Sequence, residues 1–290
     1  MENQGDAAMV LEAKEVQFSY SDGTTALKEI NLHIPRGHFC ALLGPNGVGK
    51  TTFFKVLINL LKPSQGEVRL DGQPVSNYSR AELYRRIGFV FQDPNDQLFA
   101  PTVGEDVAFG PTNLKFPPAE IAARVQTALE LVGIPQLINK PIHYLSYGQK
   151  KRASIAGVLA MRPQIMILDE PTAGLDPLGV REIMNLLVRL NKQEGITILM
   201  ATHDVDLVPI YANHIFILNE GKIVLDGSPK EVFSQKQLIR SAHLRLPRVA
   251  HLGEILFNKD NLSIDSLPLT IGEARRMVVS QVKGTGDSHG

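Results

Sequence analysis

The chain has one cysteine in 290 residues and no excess charge, since 30 Lys and Arg face 30 Asp and Glu. It also has no stretch approaching about 18 uninterrupted apolar residues. Each shortage excludes something. One thiol cannot form a disulfide framework, and Cys40 sits in the apolar run His38-Phe39-Cys40-Ala41-Leu42-Leu43, the setting of a reduced core residue in a cytosolic protein. Balanced charge without long like-charge blocks offers no basic face, so no nucleic-acid partner is expected. Without a long apolar run no helix crosses a membrane, and Met1 to Val10 lacks the basic start and apolar centre of a secretory leader. The expectation is a chain that neither spans a membrane nor is exported. Apolar residues, by contrast, are plentiful at 43%, enough for one large domain with an appendage or for two modest ones.

Residues Val10 to Ile34 alternate apolar and polar side chains, which predicts half-buried antiparallel strands. The pattern then changes. The run ending at Leu43 reads as a buried strand, a glycine-rich loop follows, and Thr52 to Leu61 carries apolar residues at helical spacing. Gly88 to Phe91, Ile165 to Leu168 and Thr197 to Ala201 read as three more buried strands, each ending at a polar residue. In an open, mostly parallel sheet, ligands sit beyond the carboxyl ends of the strands, so Gln92, Asp169 and His203 are expected to converge on the loop at Gly44. Between Gln92 and Leu145 lies a turn-rich stretch holding Pro94, Pro101, Pro111, Pro117 and Pro118, and then a helix over Ala119 to Val132. Composition loosens after Phe233, with a last amphipathic stretch near Ile271 to Val279. The expected organisation is a tail over 1–9, a main domain over 10–233 with a helical subdomain at about 93–162, a small C-terminal domain over 234–283, and a disordered end over 284–290.

Gly44-Pro45-Asn46-Gly47-Val48-Gly49-Lys50-Thr51 fits the phosphate-loop pattern of Gly, four residues, Gly-Lys-Ser/Thr. Its glycines allow successive backbone N–H groups to point at phosphate oxygens, Lys50 supplies a point charge, and the Thr51 hydroxyl can ligate Mg²⁺. A plain glycine-rich turn before a helix would explain the glycines but not the Lys-Thr that follows. Asp169 and Glu170 leave a buried strand as adjacent carboxylates, so one can hold Mg²⁺ while the other orients and deprotonates water. A lone Asp-Glu pair would more often cap a helix. Ser146 followed by Gln149 is a capping box at the head of a long helix, and such an N-terminus also binds anions. His203 can donate to a terminal phosphate or be a satisfied core histidine; Tyr20 can stack on adenine or simply pack. The remaining histidines show no metal-ligand spacing.

Taken together, these residues resemble the nucleotide-binding subunit of ABC transporters over Val10 to Phe233. The resemblance implies an α/β P-loop ATPase with a mostly parallel core sheet, an antiparallel β subdomain and an inserted helical subdomain. It implies ATP and Mg²⁺ as ligands, with Tyr20 on adenine, Gly44 to Thr52 as the phosphate loop, and Thr51, Gln92 and Asp169 at the magnesium ion. Glu170, His203 and Gln92 would be the catalytic set. Leu145-Ser146-Tyr147-Gly148-Gln149 matches the signature usually written Leu-Ser-Gly-Gly-Gln, with Tyr147 in place of its first glycine. The resemblance implies that the signature acts in trans, Ser146 closing over ATP held by another copy or by a sister ATPase, and that Asp176 couples the two chains.

A narrower likeness lies in Gln92 to Phe99 and Thr102 to Pro111, which look like the ATPases of energy-coupling-factor importers. Ala156 to Met161, Thr202 to Leu207, Leu246-Pro247-Arg248 and Leu267 to Thr270 are similar to the cobalt and nickel branch. The expected function is the ATP-hydrolysing motor of a cobalt importer. It would sit on the cytoplasmic face of the membrane, with a transmembrane coupling subunit and a substrate-binding membrane subunit as partners. Nickel or a vitamin is the alternative cargo. A soluble ATPase acting on nucleic acid or ribosomes is the alternative class, although no coiled coil intervenes between loop and signature and only one cassette is present.

Overall fold

The computed structural model describes residues 9–260 and 266–284. Its strands are, in chain order, β1 (Met9–Ser19), β2 (Thr25–Pro35), β3 (Phe39–Leu43), β4 (Gln65–Leu70), β5 (Gln73–Pro74), β6 (Ile87–Val90), β7 (Ile165–Asp169), β8 (Thr197–Thr202), β9 (His214–Asn219) and β10 (Lys222–Gly227). β1 therefore takes in Met9, at the end of the stretch read as a tail. The early alternation becomes an antiparallel sheet ordered β2-β1-β4-β5. In β2, Ile30, Leu32 and Ile34 are buried, while Asn31 and His33 between them are exposed.

The second sheet runs β10-β9-β3-β8-β7-β6 and is parallel except for the β9–β10 hairpin at its edge. Every residue of β3, β7 and β8 is buried, so these strands read as unbroken apolar runs. Alternate side chains of β3 serve two apolar clusters. Phe39, Ala41 and Leu43 face one; Cys40 and Leu42 face the other, which also takes side chains from the antiparallel sheet. Burial pushes the Cys40 thiol up to about 12.

Helix α1 (Lys50–Leu57) follows the loop after β3 and stops short of the expected Leu61. Asn59 takes a left-handed φ of 57°, which takes the chain out of the helix ahead of Pro63. After α2 (Arg80–Arg86), three helices stand between β6 and β7: α3 (Val103–Asn113), α4 (Pro118–Leu131) and α5 (Tyr147–Leu159). Pro111, expected in a turn, lies inside α3. The Thr102–Glu105 capping box starts this helix, and Pro111 falls in its last turn, so the one i→i−4 bond it cannot donate is lost close to where the helix stops. α6 (Pro177–Lys192) links β7 to β8, and α7 (Val208–Tyr211) leads to β9.

Beyond β10 come α8 (Pro229–Ser234), α9 (Lys236–Ser241), α10 (Arg248–Asp260) and α11 (Ile271–Gly284). α11 thus takes in Gly284, which was expected in a disordered end; residues 285–290 lie outside the described residues. Ile239, Ala242, Leu246, Ala250 and Leu269 join the same apolar cluster as β3 and β9. A polar clasp reinforces this docking. Asp206, in the loop after β8, accepts from the Arg245 guanidinium at 2.6 Å and from the Arg248 backbone N–H at 2.6 Å. Partial burial alone would raise the Asp206 pKa, but these two donors hold it below the ordinary carboxylate value.

Asp206→Asn should therefore lower stability by about 1 kcal/mol at pH 7. A depressed native pKa contributes stability above the unfolded value and loses it as pH falls, so the gap from the parent should narrow below about pH 4. Urea titrations at the two pH values read this, and a gap independent of pH would count against the clasp.

Candidate active site

The phosphate loop joins β3 to α1. Gly49 caps α1 at φ 108°, and a Cβ there would lie 3.0 Å from the Ala26 carbonyl oxygen, so glycine is required twice over. Lys50 opens the helix, and its buried amine donates to the carbonyls of Gly44 at 2.8 Å and Pro45 at 3.0 Å. Burial lowers its pKa, opposed by the nearby Glu170 and Asp169 carboxylates. The Thr51 hydroxyl donates to Asp169 Oδ2 at the end of β7. Burial raises the Asp169 pKa, and the Thr51 hydrogen bond offsets this in part.

Glu170 is 5% exposed and sits at a left-handed φ of 45°. Its backbone is pinned, the N–H donating to Ala201 at 3.1 Å and the carbonyl accepting from Ala173 N–H at 3.1 Å. Oε2 lies 2.9 Å from Nδ1 of His203, while Oε1 is buried without a hydrogen-bond partner, 3.8 Å from the Lys50 amine. A carboxylate only accepts, so His203 Nδ1 carries the hydrogen and Nε2 is left for another partner. The histidine side chain is 59% exposed, at the mouth of the site.

A cleft of about 640 Å³ gathers these groups. Asn46 to Thr52 line it from the loop, and Gln92, Asp169, Glu170 and His203 from the strand ends. Tyr20 closes one side, its hydroxyl 2.6 Å from Thr52 Oγ1 and its ring edge-on to Phe18 at 5.0 Å. Gly44 and Pro45 are not in the lining; they turn their carbonyls to Lys50. Sequence reading missed one wall altogether. Thr24 to Ala26 and Lys28 meet Glu220 and Gly221 there, Lys28 N–H donating to the Gly221 carbonyl at 2.7 Å. Their signal was turn chemistry, Ser21-Asp22-Gly23 and Asn219-Glu220-Gly221, each ending in a glycine with positive φ.

Leu145 to Gln149 and Asp176 do not line the cleft. Ser146 caps α5 in a full capping box with Gln149, and Asp176 caps α6 by accepting from Gly179 N–H at 2.7 Å. The Tyr147 ring packs on the loop before α6, where a Cβ at Gly174, with φ 77°, would come within 2.9 Å of it. Lys151 is fully buried one turn further into α5, and burial pushes its amine down to about 8 against the pull of Asp93, Asp169 and Glu170.

The donor set fits Mg²⁺ held together with a nucleotide. Thr51 and Asp169 already bring a hydroxyl and a carboxylate oxygen together, both hard ligands. Among the described residues no three of His, Cys, Asp and Glu cluster to hold an ion by themselves. An ion at Thr51 and Asp169 would therefore lean on substrate phosphates, as is usual for Mg²⁺.

Residues 27–173 match the family model described as ABC transporter. Energy-coupling factor transporter ATP-binding protein EcfA2 of Clostridium perfringens is 54% identical over 274 residues, 93% of this chain and 96% of that protein. Among solved structures, CbiO1 of Clostridium perfringens, part of the ABC transporter complex CbiONQ, superposes with TM-score 0.73 at 53% identity, covering 86% of this chain and all of that one. A dimeric ATP-binding cassette in a post-hydrolysis state with ADP and Pi gives TM-score 0.67 at 31% identity, covering 76% of this chain and 98% of its own. The chain belongs to the ABC transporter family, as an ATP-binding and ATP-hydrolysing motor subunit of the energy-coupling-factor type.

Gly174→Ala should cost about 1–3 kcal/mol, from the left-handed backbone and the collision with Tyr147. Adding Tyr147→Ala should return the collision part, so the double variant is less destabilised than the sum of the singles. Denaturant unfolding of the four proteins reads this cycle, and strict additivity would show that the ring does not bear on Gly174.

Proposed function

We propose that this chain powers cobalt-ion import. Two copies, or this chain and a sister ATPase, close over ATP and work on a transmembrane coupling subunit and a substrate-binding membrane subunit from the cytoplasmic face. The observation that carries the reading is the buried Glu170 carboxylate, paired with His203 and set beside Lys50 at the phosphate loop. A water held by Glu170 attacks the terminal phosphorus, the bond to the bridging oxygen of ADP breaks, and the water's proton passes to the carboxylate. His203 Nε2 is free to donate to the terminal phosphate while Nδ1 keeps the carboxylate aimed. Lys50 and the loop N–H groups hold the phosphates, and the Tyr20 ring stacks on adenine. Thr51, Asp169 and Gln92 would hold Mg²⁺ together with the nucleotide, and the ion would supply charge neutralisation at the phosphate oxygens.

The second half of each site comes from the partner. Ser146 and Gly148, at the positive end of α5, would close on the other chain's terminal phosphate, with Asp176 coupling the two sites. Their absence from this chain's own cleft and the likeness to a dimeric cassette both support that arrangement. Among the described residues no helix is long and apolar enough to cross a membrane, so the transport path would belong to the partners. Gln92 and the helices after it would carry the closing motion to the coupling subunit. Support for cobalt comes from Ala156 to Met161, Thr202 to Leu207 and the two C-terminal Leu-Pro segments, and from the likeness to CbiO1.

Glu170→Gln should lower ATP turnover by about 10² or more while leaving ATP binding intact. Turnover within a few-fold of the parent would remove Glu170 as the base. In cells carrying the chain with its membrane partners, labelled cobalt should accumulate, and Glu170→Gln should abolish it. Accumulation of nickel or a vitamin alone would move the cargo and keep the motor.

A further inference from the structure

Lys151 has no part in the chemistry above, yet it is among the largest fully buried side chains of the described structure. Its amine donates to the Gln92 carbonyl and lies 3.5 Å from the Glu170 carbonyl. These two carbonyls belong to the chain just past the ends of β6 and β7, neighbouring parallel strands. One ammonium thus ties together the two backbone exits from which the glutamine and the buried glutamate project. The Glu170 exit needs such support, because a non-glycine residue at a left-handed φ of 45° is held in a backbone conformation that L-residues disfavour. On the other side Lys151 is anchored to the head of α5: the Tyr147 ring lies 5.7 Å from its amine, and that ring rests on the loop at Gly174. An apolar residue of similar length would fill the same space without the desolvation penalty of a buried charge. What only a donor supplies is the pair of carbonyl contacts.

We propose that Lys151 is a positioning residue for hydrolysis, which fixes the Gln92 and Glu170 main chains relative to each other and to the signature end of α5. The inference rests on the reading of Glu170 as the base. Lys151 does not line the cleft; it sets where the Glu170 carboxylate can stand. Its loss should therefore appear in turnover and not in nucleotide affinity, since Lys50 and the loop N–H groups do not depend on it.

The test compares Lys151→Met, which keeps length and removes the donor, with Lys151→Gln, which restores a shorter one, in the full chain assembled with its partners. Lys151→Met should lower kcat about tenfold or more, with KM for ATP and the affinity for a fluorescent ATP analogue within about twofold of the parent. Lys151→Gln should recover a measurable part of the loss. If Lys151→Met does not fold, Lys151→Gln is compared directly with the parent, with kcat reduced and affinity kept. A kcat within about twofold of the parent would overturn the proposal, as would parallel losses of kcat and affinity that Lys151→Gln leaves unrepaired. Glu170→Gln is measured alongside: its failure to slow turnover would sink the base assignment, whereas failure of the Lys151 series alone would sink only the positioning role.

Discussion

Glu170 holds a carboxylate in a nearly closed setting, one oxygen on His203 and the other without a hydrogen-bond donor, and that half-satisfied charge dictates its surroundings. An unpaired buried acceptor costs free energy, so the fold must over-determine its position from elsewhere. It does so through the backbone. Glu170 leaves β7 in a left-handed turn whose N–H and C=O are both bonded, on one side to β8 and on the other to the turn before α6. Asp169 beside it is bound to Thr51, and Lys50 is drawn toward the loop carbonyls, so the carboxyl end of the parallel sheet and the phosphate loop form one connected polar layer.

That layer can exist because the strands beneath it contain almost nothing polar. β3, β7 and β8 are buried on both faces, and Thr197 and Thr202 stand only at the ends of β8. The sheet's two faces are served by separate apolar clusters, so polar residues are admitted only where strands end. Catalytic geometry and core packing are consequences of the same segregation.

Much of this was legible in sequence because it is local. The alternation over Val10 to Ile34, the apolar run into the phosphate loop and the capping box at Ser146 each obey a short-range rule, and all three appear in the structure. Strand-end residues Gln92, Asp169 and His203 could be placed at one rim because a parallel sheet sends its ligands there. What escaped is long-range or geometric. The Glu170–His203 pair joins separate strand ends, the Lys28–Gly221 wall joins distant hairpins, and the Lys151 contacts need the packing of α5 on the sheet. The early end of α1 escaped for another reason: apolar spacing continues past Leu57, but Asn59 turns left-handed.

Cys40 lies in the middle of the sheet, buried on all sides with its thiol pushed up to about 12. Since the nucleophile in alkylation and disulfide exchange is the thiolate, this sulfur is chemically silent at neutral pH. It is also the one sulfhydryl of the whole sequence. The native chain therefore serves, without any substitution, as a blank background for site-directed spin or fluorophore labelling. A cysteine introduced at the rim of the cleft and another on α11 would report the opening and closing of an assembled motor directly as a distance.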